Sequence, residues 1–95
     1  MVVGVGDVRR QAQLVIANLT EALAAAGAAL TDVLKTTVYV ASGDRRDLLT
    51  AWDVVRAAFG EHDAPSRLLG VATLGYRAQL VEVGAVAPSG PGSER

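Results

Sequence analysis

The 95-residue sequence predicts an α+β fold, two helices packed on one face of a single sheet. Two segments repeat apolar residues at helical steps, and three others are rich in the Val, Leu, Thr and Tyr that suit a pleated surface. Their order, helix, strand, helix, strand, strand, belongs to a helix layer on a sheet rather than to a bundle or a sandwich. There are no internal repeats.

Val8, Ala12, Val15, Leu19, Leu23 and Ala26 recur at steps of three or four and mark the first helix, from Asp7 to Ala26. Asp7 is its N-cap and Gly27 its stop. "VLKTTVYVA" then reads as a strand from Val33 to Val40. "SGDRRD" supplies cap candidates for a second helix, whose stripe is Leu48, Trp52, Val55 and Phe59 and whose end is Gly60. Pro65 pushes Ala64 toward an extended conformation and opens the next strand near Ser66. "LGYR" then separates two β-like runs, which predicts a hairpin of Ser66 to Thr73 with Ala78 to Ala87. The tail "PSGPGSER" has nothing apolar to bury, so the expectation is one domain over residues 1–87 and a flexible tail over 88–95.

Composition narrows the partners. A single domain of this length buries somewhat more than about 60% of its surface on folding alone. Yet 51% of the residues are hydrophobic and only 20% charged, and the mean hydropathy is +0.30. That apolar excess calls for a partner surface. The formal net charge of −1, with basic residues scattered among acidic ones, offers no patch for a phosphate backbone, so no nucleic-acid partner is expected. With no cysteine, disulfides, thiolate catalysis and cysteine metal sites are excluded. The apolar runs are far shorter than the roughly 20 residues that span a bilayer, and no signal peptide is visible, so the expectation is a cytoplasmic protein without a membrane partner.

Chemistry concentrates in "DAPSRLLGVATLGYRAQLVEVGAVA", where Arg67 and Glu82 interrupt a run of Leu, Val, Ala and Gly. With the turn centred on Gly75 and Tyr76, Leu69 lies opposite Glu82 and Arg67 opposite Gly84. One face then holds Arg67, Leu69, Val71, Leu80, Glu82 and Gly84, and the other holds Leu68, Gly70, Ala72, Val81, Val83 and Ala85. In that register Arg67 and Glu82 are diagonal neighbours with Cα atoms roughly 7–8 Å apart. The second face is the better surface for the helices. The first needs cover, which identical copies can provide. The two charges form either a cross-strand salt bridge, worth at most about 1 kcal/mol when exposed, or a pair with a ligand between them.

Other candidates carry less. His62, the single histidine, sits between Glu61 and Asp63 and reads as a solvated loop residue, with no metal site around it. Tyr39 reads as an interface or core ring, Tyr76 as a turn residue and Trp52 as core packing. Ser66 has no histidine in a triad-like place and is rejected as a nucleophile.

"QAQLVIANLTEALAAAGAALTDVLKTTVYVAS", "AWDVVRAAFGEHDAPSR" and "QLVEVGAVA" resemble the Rid (YjgF) family of reactive intermediate deaminases, over about Gly4 to Ala87. The resemblance implies a chorismate mutase-like (bacillus-type) fold, assembled as a homotrimer with a small-molecule pocket at each subunit interface. It implies hydrolysis of enamine and imine acids such as 2-aminoacrylate to 2-oxo acids and ammonia, without a cofactor or metal. By the family pattern, "PSR" makes Arg67 the clamp for the substrate carboxylate. Glu82 holds or activates the attacking water, and Leu69 lies where the main chain touches the carboxylate. Trp52 occupies the place of a family asparagine, Leu69 that of a cysteine and Gly84 that of a second acid. Family members also carry an N-terminal hairpin, for which "MVVGVG" provides at most one short strand. The same site without turnover would be a trimeric binding module for small carboxylate metabolites. Ribonuclease activity, also attributed to the family, finds little support in an acidic chain with one histidine.

Overall fold

Asp7 opens the first helix by accepting the backbone N–H of Arg10 at 3.0 Å, in a computed structural model that describes residues 7–62, 64–75 and 78–87. This helix, α1, runs Val8–Ala25. It ends where Gly27 turns to a φ of 78° and the N–H groups of Gly27 and Ala28 reach back to the carbonyls of Ala24 and Leu23, at 3.0 and 2.8 Å. Those two bonds satisfy carbonyls left over by the helix, and glycine takes the left-handed turn without a Cβ penalty. A single 3-10 turn at Leu30–Asp32 leads to strand β1, Lys35–Val40.

The second helix, α2, runs Arg45–Phe59. Asp44 accepts the N–H of Arg46 at 2.9 Å, and the Ser42 hydroxyl donates to Asp47 at 2.7 Å, so the "SGDRRD" turn holds the helix start with two side chains. Gly60, at a φ of 62°, ends it. Strands β2, Ser66–Gly70, and β3, Val81–Val86, complete the sheet.

The sheet order is β2-β1-β3, with β2 parallel and β3 antiparallel to β1. The expected hairpin is therefore corrected: β2 and β3 each pair with β1 and not with each other. The helical crossover returns β2 parallel to β1, as strand–helix–strand units do. Past β2 and ahead of β3 the chain meets the end of β1, with Val71 N–H bonded to Val40 O and Ala41 N–H to Leu80 O, both at 2.8 Å. Tyr76 and Arg77 of "LGYR", the expected hairpin turn, are outside the described residues. Gly70 is required at the turn point, because a Cβ there would stand 2.8 Å from the Ser42 carbonyl oxygen. The expectations for the N-terminal strand and for the tail over 88–95 also fall outside the described residues.

Thr36, Val38 and Val40 of β1 are buried under the helices, while Lys35, Thr37 and Tyr39 face the other side. Val8, Ala12 and Ile16 of α1 join Ala51 and Val55 of α2, Val38 and Val40, and Val81 of β3 in one core. Its largest fully buried side chains are all valines, so the core is thin. Gln11 is 3% exposed within this layer, donating to Ala78 O at 3.0 Å and accepting the Leu80 N–H at 2.8 Å. It ties α1 to the entry of β3 and satisfies backbone groups that the helix layer would otherwise bury unpaired. No helix among the described residues is long and apolar enough to cross a membrane.

Candidate functional site

The free face of the sheet is laid out by the two registers of β1. Arg67, Thr37 and Gly84 lie in one row across the three strands, and Leu69, Tyr39 and Glu82 in the next. The strand period puts all six on the side away from the helices. Arg67 and Glu82 thus share a face, as the sequence predicts. They stand on the two outer strands rather than on adjacent ones, however, so the diagonal contact expected of a hairpin is corrected. With strands about 4.8 Å apart and about 3.3 Å per residue, their Cα atoms are about 12 Å from each other.

The start of β2 is fixed from the helix side. Ser66 Oγ donates to Ala64 O at 2.9 Å, so the Thr36 hydroxyl donates to Ser66 across 2.6 Å, and Thr36 N–H bonds Pro65 O at 3.0 Å. The Ser66 proton is committed to a carbonyl. These bonds set the register that turns Arg67 to the free face. Beside it lies a cleft of about 270 Å³, lined by Lys35, Thr36, Thr37, Pro65, Ser66 and Arg67.

Arg67 and Glu82 are both exposed. Among the described residues neither has a hydrogen-bond or ion-pair partner, and the ion pair within 4 Å is the surface contact Arg46–Asp44. The cross-strand salt bridge is absent, and both charges remain available. Gly84 leaves open space next to Glu82, since a Cβ built there meets nothing within 4 Å. Leu69, 38% exposed, lies between Arg67 and the end of β2. Tyr39 is half-buried in the floor. Such an arrangement can hold a small anion at Arg67 and present a carboxylate base to its far end.

One residue, His62, differs from its sequence reading, and Trp52 keeps its own. His62 is half-buried, its ring stacked on Phe59 with centroids 6.2 Å apart and its Nε2 2.7 Å from Val33 O. A carbonyl only accepts, so Nε2 carries the proton. Trp52 packs against the edge of the core and also walls a cavity of about 210 Å³ with Phe59 and His62, on the helix side. Sequence reasoning missed Lys35 and Thr37, which form the floor of the free face with Tyr39. Their alternation within "KTTVYV" was the available signal.

The sequence matches the Endoribonuclease L-PSP family over residues 1–89. The solved structure of the Rid protein YyfB from Yersinia pestis is similar to it, with 33% identity and a TM-score of 0.81 over 88% of this chain and 64% of that one. The chain belongs to the Rid (YjgF) family. Among solved Rid relatives, a Mycobacterium tuberculosis member of the YjgF/YER057c/UK114 family is 31% identical, with a TM-score of 0.78 over 85% of this chain and 67% of that one. E. coli TdcF with bound serine is also 31% identical, with a TM-score of 0.74 over 85% of this chain and 64% of that one. This Rid chain therefore spans about two thirds of the length of these relatives. No curated protein matches it. The fold of two helices on one face of a sheet, expected as chorismate mutase-like, is the fold observed and the one these structures share.

Proposed function

We propose that this Rid chain assembles as a homotrimer and hydrolyses small enamine and imine acids, such as 2-aminoacrylate, to 2-oxo acids and ammonia in the cytoplasm. The observation that carries this reading is the placement of two unpartnered opposite charges, Arg67 and Glu82, on one free face with Thr37 and Tyr39 between them. The bound serine of E. coli TdcF supports a small carboxylate-bearing ligand. Trimer formation is supported by the free face itself, where Leu69 and Val86 are 38% and 48% exposed and no described element covers them.

In the proposed mechanism the Arg67 guanidinium grips the substrate carboxylate through two parallel charged hydrogen bonds, with the Leu69 main chain alongside. 2-Aminoacrylate takes a proton from solvent at C3 and becomes the 2-imino acid, protonated on nitrogen. Glu82 then accepts a proton from water as its oxygen bonds to C2, giving a carbinolamine. Return of that proton to nitrogen breaks the C–N bond and releases ammonia, while the carbinolamine hydroxyl gives up its proton to solvent through Glu82 and leaves the 2-oxo group. The balance is one imine and one water to one 2-oxo acid and one ammonia. It uses neither cofactor nor metal, and the ligand is a metabolite rather than a nucleic acid.

The test is ammonia and 2-oxo acid release from 2-aminoacrylate generated enzymatically in situ. Turnover by the wild type, lost in Arg67→Ala, supports the assignment; equal rates for the two proteins end it. A second reading, a trimeric binding module without turnover, is favoured by Trp52 and Gly84 standing where the family pattern has an asparagine and an acid. Thermal stabilisation by 2-oxo acids with no ammonia produced selects that reading.

A further inference from the structure

Lys35 is the second cation of the cleft that holds Arg67. It lies two residues before Thr37 on the free face of β1, and Thr37 is aligned with Arg67. By strand spacing, the Lys35 and Arg67 Cα atoms are about 8 Å apart, within converging reach of both side chains. The cleft, of about 270 Å³, lies just below the usual range of about 300–1,000 Å³ for small-molecule sites, so its occupant is small. Its remaining polar groups sort by partner. The Thr36 and Ser66 hydroxyls are bonded to each other on the helix side, whereas the Thr37 hydroxyl has no partner among the described residues.

No carboxylate among the described residues lies within 4 Å of either cation. Glu82 is on the far outer strand, aligned with Tyr39 rather than with Thr37 or Lys35. One cleft thus offers two uncompensated positive charges, and a monocarboxylate can neutralise only one.

We infer that the site prefers dicarboxylic substrates, 2-imino acids of four or five carbons with a second, terminal carboxylate. Arg67 takes the carboxylate next to the imine and Lys35 the terminal one, with the Thr37 hydroxyl donating to the ligand between them. This rests on the proposed role of Arg67 and adds the substrate class. Lys35 is here a specificity-determining residue, with no part in the hydrolysis itself. An ammonium on a flexible stem suits that task, because it follows the position of a terminal carboxylate without demanding bidentate geometry.

The test compares 2-oxoglutarate with 2-oxopentanoate, product-type acids of equal length that differ in the terminal carboxylate, by titration calorimetry on the full chain. The wild type is expected to bind 2-oxoglutarate about five-fold more tightly, the gain of one exposed ion pair. The preference should shrink at high salt. Lys35→Met should weaken 2-oxoglutarate binding about five-fold more than 2-oxopentanoate binding and so bring the two affinities together, and Lys35→Arg should retain the preference. Equal affinities in the wild type, or a preference that survives Lys35→Met, overturn the dicarboxylate inference alone. Binding of both acids that is undiminished in Arg67→Ala, or binding of neither by the wild type, overturns the site reading beneath it.

Discussion

Arg67 and Glu82 face the same side of the sheet from its two outer strands, with Thr37 and Tyr39 of the central strand between them. Neither charge touches the other, so the separation leaves room for a ligand where a hairpin would have closed a salt bridge. The backbone registers set that separation, and both charges remain exposed on the face opposite the core.

Glu82→Gln keeps size and hydrogen bonding but removes the proposed base. Its kcat for imine hydrolysis should fall by about 10²–10⁴-fold, with KM changed little. Because Glu82 is exposed and unpaired, stability should stay within about 0.5 kcal/mol of wild type by thermal melting. A large loss of stability instead would recast the residue as structural.

Gln11→Leu fills the same space without the two polar atoms that bond Ala78 O and Leu80 N–H. Leaving a buried backbone donor unpaired costs about 1–3 kcal/mol, which in a domain this small lowers Tm by about 10 °C. An unchanged melting curve would show that these bonds are replaced by water.

Leu69→Lys adds a cation to the free face beside Arg67, where assembly would bury it. Sedimentation should then report the mass of a monomer where the wild type gives that of a trimer, with the circular dichroism of the chain unchanged. A wild-type monomer would remove the interfacial pocket.

The Arg46 guanidinium, bonded to Asp44 at 3.0 Å, holds that carboxyl below its ordinary value of 3.8, and the Arg46 backbone N–H adds to the effect. A depressed carboxyl contributes stability that is present above pH 3.8 and is lost as the pH falls through the lower folded value. In an NMR titration the Asp44 midpoint should lie under 3.8 and move back toward it in Arg46→Ala. Full exposure of the pair makes its weight in overall stability small.

Helix boundaries were legible because they are local. Asp7, Gly27, Asp44 and Gly60 announce themselves within a few residues of the backbone groups they serve. The sidedness of the strands was legible too, since a period of two sends Leu68, Gly70, Val81 and Val83 one way and Arg67, Leu69, Glu82 and Gly84 the other. Strand order was not. Periodicity says which face a residue takes and nothing about its neighbour, so Ser66–Gly70 and Val81–Val86, both apolar and separated by a glycine-bearing link, read as a hairpin. Their shared preference for Lys35–Val40 is a long-range fact. The same blindness hid Lys35 and Thr37, whose chemistry appears only once Arg67 is set beside them. It also hid the Val33 carbonyl that engages His62 from 29 residues away.

The hold of Gln11 on Ala78 and Leu80 gives the first helix a hand in placing the acid two residues farther along the chain. Under the proposed mechanism, substitutions on the sheltered side of the molecule would therefore shift the last strand and retune Glu82 without any change on the free face. Under that mechanism, differences in rate among otherwise similar chains would originate in a glutamine buried on the far side of the sheet.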